Sequence, residues 1–396
     1  MLHIPILRHG TPYESIDQVE ILHHATGEPV ARVSQANAGL ISRDVNRMDH
    51  DVLEPFSMCE LLAMCRNAAE LFMTAELPVG DDDGGGRSGV GGGGLGDLPP
   101  TTHNPRPTPV DPQPTPVVRQ SFDDYLHCLS ATTGMPHAYC RSNAKKIHRV
   151  LDEMERIVAG LTRGFDLSIL DRGYGDDGGR TLSWYREARV FGAVLPSNSP
   201  GVHSLWAPAV ALKTVIMLKP GREEPWTPLR MIQAFIAAGF PREAFGFYPT
   251  DHAGASTLLQ SVDRAMLFGD ASTTKAWAHD PRIERHGPGY SKVILGDDAA
   301  DDFQAHLETI AGSIAANGGR SCINASSVWT PKNGDAIADA LARKLATIQA
   351  LRADDPNAQI AAFANPAMAE RINVSIDAAL RAPGAIDVSQ QARGGT

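Results

Sequence analysis

Cysteine is scarce and unpaired: Cys59, Cys65, Cys128, Cys140 and Cys322 are an odd set of five in 396 residues, without the close pairing of a zinc site. Neither a disulfide framework nor a cysteine-built metal centre is the natural reading, and reduced thiols with no bound metal are expected. Positive charge is also in deficit, with 36 Lys and Arg against 46 Asp and Glu and a formal net charge of -10. Without a basic field to offset phosphate repulsion, a nucleic-acid partner is not expected. Long apolar runs are missing too: none reaches the about 18 residues of a membrane-spanning helix. The opening MLHIPILRHG is broken by His3 and Pro5, unlike a secretory signal. These absences point to a cytoplasmic protein with no membrane partner. What is present is an ordinary apolar fraction, 42%, in a chain long enough for two or three domains with a sizeable core.

The sharpest change of composition runs from about Pro78 to Val118, where a glycine-rich stretch is followed by a proline-rich one. Neither half offers apolar surface to offset its ordering entropy, so residues 78–120 are read as a disordered insertion acting as a spacer. Residues 37–77 before it look helical, and so does Asp123 to Thr162, where Ile147, Leu151, Met154 and Ile157 or Val158 share one face. From Val190 the pattern changes to short apolar runs (VFGAVLP, TVIMLK, FGFYP, RAMLFG, KVILG) alternating with helices. Such alternation implies an α/β fold, a largely parallel sheet covered by helices on both faces, with ligands beyond the strands' carboxyl ends. The helix between TVIMLK and FGFYP is expected to start with Thr227 as cap and Pro228 in first position. Leu229, Ile232, Phe235 and Ile236 then face inward, and Gly239 and Pro241 stop it.

A later helix from about Asp302 to Ala316 should turn Phe303, Leu307, Ile310 and Ile314 inward and stop at Asn317-Gly318-Gly319. Arg320, Ser321 and Cys322 follow, leading into a strand-like INASSVW and then a helix over about Asp335 to Leu351. A thiol at a glycine-rich turn has freedom to approach a substrate. A lone cysteine usually just fills core space, and that is the expectation for Cys59, Cys65, Cys128 and Cys140.

Cys322 differs through the motifs that precede it: Pro196-Ser197-Asn198-Ser199-Pro200, Lys219-Pro220-Gly221-Arg222-Glu223-Glu224-Pro225, Leu267-Phe268-Gly269-Asp270, His286-Gly287-Pro288-Gly289, then the NGGRSC run. Their order and separations resemble the aldehyde dehydrogenase superfamily over roughly residues 185–330. The resemblance implies a Cys322 nucleophile, with Asn198 donating its amide to the oxyanion that forms when a thiolate adds to a carbonyl. Pro196, Lys219, Gly221 and Arg222 would line the site of NAD or NADP, Lys219 on the adenosine side. An arginine at position 222 favours a 2′-phosphate, whereas Glu223 beside it restores an acidic contact to a 2′-hydroxyl. Gly269 and Asp270 occupy the family's pyrophosphate turn, where Asp270 replaces a serine and brings a carboxylate towards phosphate.

The informative departure is His286, which stands where hydrolytic members carry the glutamate that activates water. The H-G-x-G pattern is closer to the CoA-acylating branch, in which a thiol accepts the acyl group and a hydrolytic base is dispensable. The expected activity is thus interconversion of an aldehyde and an acyl-CoA through a Cys322 thioester, with NAD or NADP as cofactor and CoA as cosubstrate. Hydrolytic oxidation to a carboxylate, or a non-catalytic binding role, are the alternatives. By the same resemblance, residues 1–77 join the cofactor domain, 121–290 form the Rossmann-type, parallel-sheet dinucleotide-binding domain and 291–396 an incomplete α/β catalytic domain. The family's later E-x-F-x-P motif is not found before Thr396, so a truncated chain is expected, with homo-oligomers for a full-length form.

Overall fold

The computed structural model describes residues 1–82 and 117–389. Its centre is a sheet in which the strands Val190–Val194, Val215–Lys219, Phe245–Phe247, Arg264–Phe268 and Ile283–His286 all run parallel. Helices cover both faces at the middle of the sheet, so the central strands are apolar almost without interruption: Val215 to Leu218, Phe245 and Phe247 are completely buried. In space, Val190–Val194 lies between Val215–Lys219 on one side and Arg264–Phe268 on the other. Chain progress across the sheet reverses there, which makes the carboxyl end of Val190–Val194 the switch point where such sheets bind ligands. The first residues extend this sheet, with Ile6–Arg8 antiparallel to Phe245–Phe247 and then Thr11–Tyr13 at the edge.

A second, five-stranded sheet contains Leu77–Asp82 paired antiparallel with Val117–Gln120. The ends of the segment read as an insertion over 78–120 are thus strands, because Leu77 and Val79 alternate into the core. The rest of that glycine- and proline-rich stretch, 83–116, lies outside the described residues.

The helical reading of 37–77 resolves into Ala38–Arg47 and Met58–Thr74, the second opened by a Ser57/Glu60 capping box. Asp123 to Thr162 is three helices rather than one, Phe122–Thr133, His137–Asp152 and Met154–Leu161. The first break falls at Gly134, which is left-handed at φ 71, followed two residues later by Pro136. Ile147, Leu151, Met154 and Val158 are buried as their spacing requires. The helix expected to be capped by Thr227 instead runs Trp226–Ala237, and its cap is not a threonine oxygen. Glu224 Oε1 accepts the Thr227 backbone N–H at 2.9 Å, a carboxylate doing from three residues upstream what a hydroxyl was expected to do.

Beyond this body, Lys292–Ile294 pairs in parallel with Ser327–Trp329, the only part of INASSVW that is strand. Helices Phe303–Ala315 and Gly334–Ala346 pack on this pair around Ile310, Ala311, Ile337 and Leu341. The latter stops five residues short of Leu351, with the Thr347 hydroxyl donating to the Lys344 carbonyl at the frayed end.

Candidate active site

Three segments converge at the switch point. The turn leaving Val190–Val194 carries Pro196 to Pro200 and runs into a 3₁₀ helix, Pro200–Trp206. The turn leaving Val215–Lys219 is pressed against it: a Cβ on Gly221 would lie 2.3 Å from Ser197 Oγ and 2.7 Å from the Pro196 carbonyl, so only glycine fits. The Glu223 N–H donates to Ser197 Oγ at 3.2 Å and locks the two turns together.

The third segment carries the thiol. After helix Phe303–Ala315, three consecutive residues are left-handed, Asn317 at φ 55, Gly318 at φ 69 and Gly319 at φ 77. They swing the chain back so that the loop running into Cys322 is bonded to the Pro196–Pro200 turn through Asn317 and Arg320. Asn198 Nδ2 donates to the Arg320 carbonyl at 2.8 Å. A primary amide has two N–H groups, so one remains for a ligand. Asn198 and Cys322 are both exposed.

The other thiols do not share this setting. Burial pushes Cys65 up to about 12 and Cys128 up to about 11, and Cys140 higher still with Glu224 nearby, so these three stay protonated. Cys59, expected in the core, is exposed in the first turn of Met58–Thr74.

On the far side of Cys322 lies the loop after Ile283–His286. A Cβ on Gly289 would sit 1.6 Å from the Cys322 carbonyl oxygen, and Ser326 N–H donates to the Ser291 carbonyl at 2.8 Å. His286 itself closes the edge strand. Its ring stacks on Phe268, with centroids 4.4 Å apart and planes 11° apart, and its Nε2 lies 3.1 Å from Glu284 Oε1. Among the described residues, no hydrogen bond joins His286 to Cys322.

A cleft of about 390 Å³ lies past the carboxyl ends of Val215–Lys219 and Phe245–Phe247, lined by Lys219, Gly221, Arg222, Thr250, Asp251 and His252 among others. Burial lowers the Lys219 ammonium below the usual lysine range, opposed by Glu223 and Asp251. Arg222 is exposed at the rim. At Gly269 and Asp270 the chain turns into the short helix Ala271–Lys275, which Asp270 caps. Asp270 Oδ1 accepts the Thr273 N–H at 2.8 Å and the Ser272 hydroxyl at 2.6 Å. These bonds hold the carboxyl down to about 2, and the carboxylate fills the amide that a pyrophosphate would need.

Several site residues escaped the sequence reading. His203 and Glu224, both fully buried, pair beneath the two turns. Asn143 donates to Asn317 Oδ1 at 2.7 Å, and Arg320 donates to the carbonyls of Thr133, at 2.6 Å, and Ala362. Nothing in the one-dimensional pattern singles these out, because each partner lies at least 21 residues away in the chain.

A doubly wound parallel sheet with a cleft beyond its strand ends, beside a smaller α/β layer presenting an exposed cysteine, is the build of the aldehyde dehydrogenase fold. The chain belongs to the aldehyde dehydrogenase family, whose model matches residues 115–392. It is 27% identical over 193 residues to an N-succinylglutamate 5-semialdehyde dehydrogenase of Vibrio cholerae serotype O1, a match taking in 46% of this chain and 38% of that protein. The matched stretch is thus well under half of that relative. The fold is similar to a succinate-semialdehyde dehydrogenase from Burkholderia pseudomallei, with TM-score 0.71, 18% identity, and 96% of this chain and 70% of that one covered. It is also similar to an aldehyde dehydrogenase from Pseudomonas syringae solved with NAD+ and octanal, with TM-score 0.72, 18% identity, and 98% and 73% covered. No described helix is long and apolar enough to cross a membrane.

Proposed function

We propose that the protein oxidises an aldehyde through a covalent adduct on Cys322, with NAD or NADP as electron acceptor. The observation that carries this reading is the bond from Asn198 Nδ2 to the Arg320 carbonyl, which ties an amide donor to the loop that presents the thiol. The Cys322 thiolate adds to the carbonyl carbon, a C–S bond forms, and the π electron pair moves to oxygen, where the free Asn198 N–H donates. The adduct collapses to a thioester with loss of hydride. A bound NAD(P)+ supplies the two-electron acceptor for that loss, and Lys219, Gly221 and Arg222 are the residues that would hold it; the cleft past the strand ends, with its partly buried Lys219, fits a polyhydroxylated ligand. Attack on the thioester then breaks the C–S bond and returns the thiolate.

Water as the attacking group is favoured by the semialdehyde dehydrogenases among the relatives, which also suggest an aldehyde bearing a carboxylate. A second reading, transfer to CoA, is favoured by His286. The position holds no carboxylate, and the imidazole is stacked on Phe268 rather than hydrogen-bonded to the thiol loop. Aldehyde and NAD(P)+ supplied without CoA are expected to give free acid steadily; a reaction that stalls until CoA is added would establish the acylating enzyme. If no dinucleotide binds and none is reduced, a non-catalytic binding role takes the place of both. We place the enzyme in the cytoplasm, with 121–290 as its dinucleotide domain and 291–396 in its catalytic domain, and infer a homo-oligomer.

The depressed Lys219 gives this reading a pH signature. Only the ammonium form donates from all three N–H groups, so dinucleotide affinity should fall as pH rises, and at lower pH than an exposed lysine would impose. Fluorescence titration with reduced dinucleotide across the alkaline range measures it. Lys219→Met should bind more weakly and lose the dependence, whereas a flat profile in the unaltered protein removes Lys219 from the contact.

A further inference from the structure

We propose that Asn317 is a positioning residue that sets the separation between the Asn198 amide and the Cys322 thiol, an inference that rests on the covalent reading above. Its Nδ2 donates to Ser199 Oγ at 3.1 Å and to Ser321 Oγ at 3.0 Å. Ser199 is the covalent neighbour of Asn198, and Ser321 that of Cys322. One amide group therefore grips the residue beside the oxyanion donor and the residue beside the nucleophile. Asn198's own bond to the Arg320 carbonyl is a second clamp on the same gap.

The grip is itself held. Asn317 is only 6% exposed, and its Oδ1 accepts from Asn143 Nδ2 at 2.7 Å. Asn143 is 1% exposed and also donates to the Tyr139 carbonyl at 2.8 Å, which fixes the direction of its amide from helix His137–Asp152. With both N–H groups and the oxygen of Asn317 committed, the amide has one orientation, and a buried alternative would leave a polar group unpaired. The left-handed backbone at φ 55, ψ 35 explains why this anchor stands at a turn: asparagine tolerates that conformation better than other residues with side chains. Glycine adopts it more freely still, so Asn317→Gly removes the grip without straining the turn.

Two reactions of Cys322 separate positioning from reactivity. Acylation by p-nitrophenyl acetate passes through an oxyanion and needs the amide donor in place; alkylation by iodoacetamide is a direct displacement and does not. Neither requires a dinucleotide. For Asn317→Gly the acylation rate is expected to fall about a hundredfold, as a shift of an ångström between reacting groups does, while alkylation stays within about twofold. Should that variant fail to fold, the pair Ser199→Ala with Ser321→Ala removes both acceptors and should lower the acylation-to-alkylation ratio in the same direction. An unchanged ratio, with only the melting temperature lowered, overturns the proposal, and so does a parallel fall of both rates. If the unaltered protein is acylated no faster than Cys322→Ala, the covalent reading itself falls; if it is acylated well and the variants match it, only Asn317 loses its part.

Discussion

Cys322→Ala is expected to lower aldehyde-dependent reduction of NAD(P)+ by at least about a thousandfold, because the adduct of the proposed reaction forms on its thiol and a hydroxyl nearby is a far weaker nucleophile. Dinucleotide affinity and the denaturation midpoint should stay close to those of the unaltered protein, since the thiol is exposed and has no hydrogen-bond partner among the described residues. The other cysteines offer no substitute. Cys65, Cys128 and Cys140 have thiols driven towards the protonated form by burial. Cys59 is exposed but stands at the other end of the sheet. Its neighbour Met58 donates its N–H to Asp171, which pairs with Lys213 just before the strand Val215–Lys219 begins. Cys59→Ala is therefore the control that should retain full activity. Steady-state rates of the two variants, with intact-mass labelling of the remaining thiols, make the comparison. Residual turnover above a tenth in Cys322→Ala would sink the covalent reading, by the same arithmetic that makes tenfold about 1.4 kcal/mol of barrier.

The parallel sheet was legible because a strand buried on both faces must be apolar along its whole length, and five such runs recur between Val190 and the KVIL segment. Of those, KVIL does not join the others: Lys292–Ile294 pairs instead with Ser327–Trp329, and the fifth parallel strand is the polar-looking Ile283–His286. An edge strand needs only one apolar contact row, which Ile283 supplies, so Glu284 and Arg285 hid it. The first 36 residues gave no helix signal and little strand signal because their strands run only three to six residues each. In the site, Asn198, Lys219 and Cys322 stood out through motifs at turns. Asn143, Asn317 and His203 did not, since a buried polar residue is intelligible only with its partner, and the partners come from distant turns and helices. The Asp270 cap shows the converse. Its position matched a pyrophosphate turn, yet three atoms of local geometry turn the carboxylate onto its own helix.

Glu224→Ala is expected to destabilise the protein by about 3–5 kcal/mol, the loss seen when one member of a buried ionisable pair is removed and the other is left without compensation. Glu224 and His203 are both fully buried, and the carboxyl serves two partners at once. One oxygen faces His203 Nε2, and the other accepts the Thr227 N–H at 2.9 Å at the start of helix Trp226–Ala237. There the helix dipole favours negative charge, and an unpaired N–H in the core would cost about 1–3 kcal/mol by itself. Glu224→Gln keeps the volume and the acceptor and should cost less, whereas His203→Leu leaves the carboxyl buried without its ionisable partner and should cost nearly as much as alanine. Urea unfolding at constant m-value gives the three differences, and a loss under about 1 kcal/mol for Glu224→Ala would show that the pair is not coupled to folding. The location of the pair gives the result a reading beyond stability. His203 lies in the 3₁₀ helix that continues from Pro196–Pro200, and Glu224 in the turn that continues from Lys219. The pair therefore joins, from beneath, the loop that carries the oxyanion donor to the loop that borders the cleft. Its loss should loosen both together, so that acylation of Cys322 and dinucleotide affinity decline in the same variant even at temperatures where it remains folded.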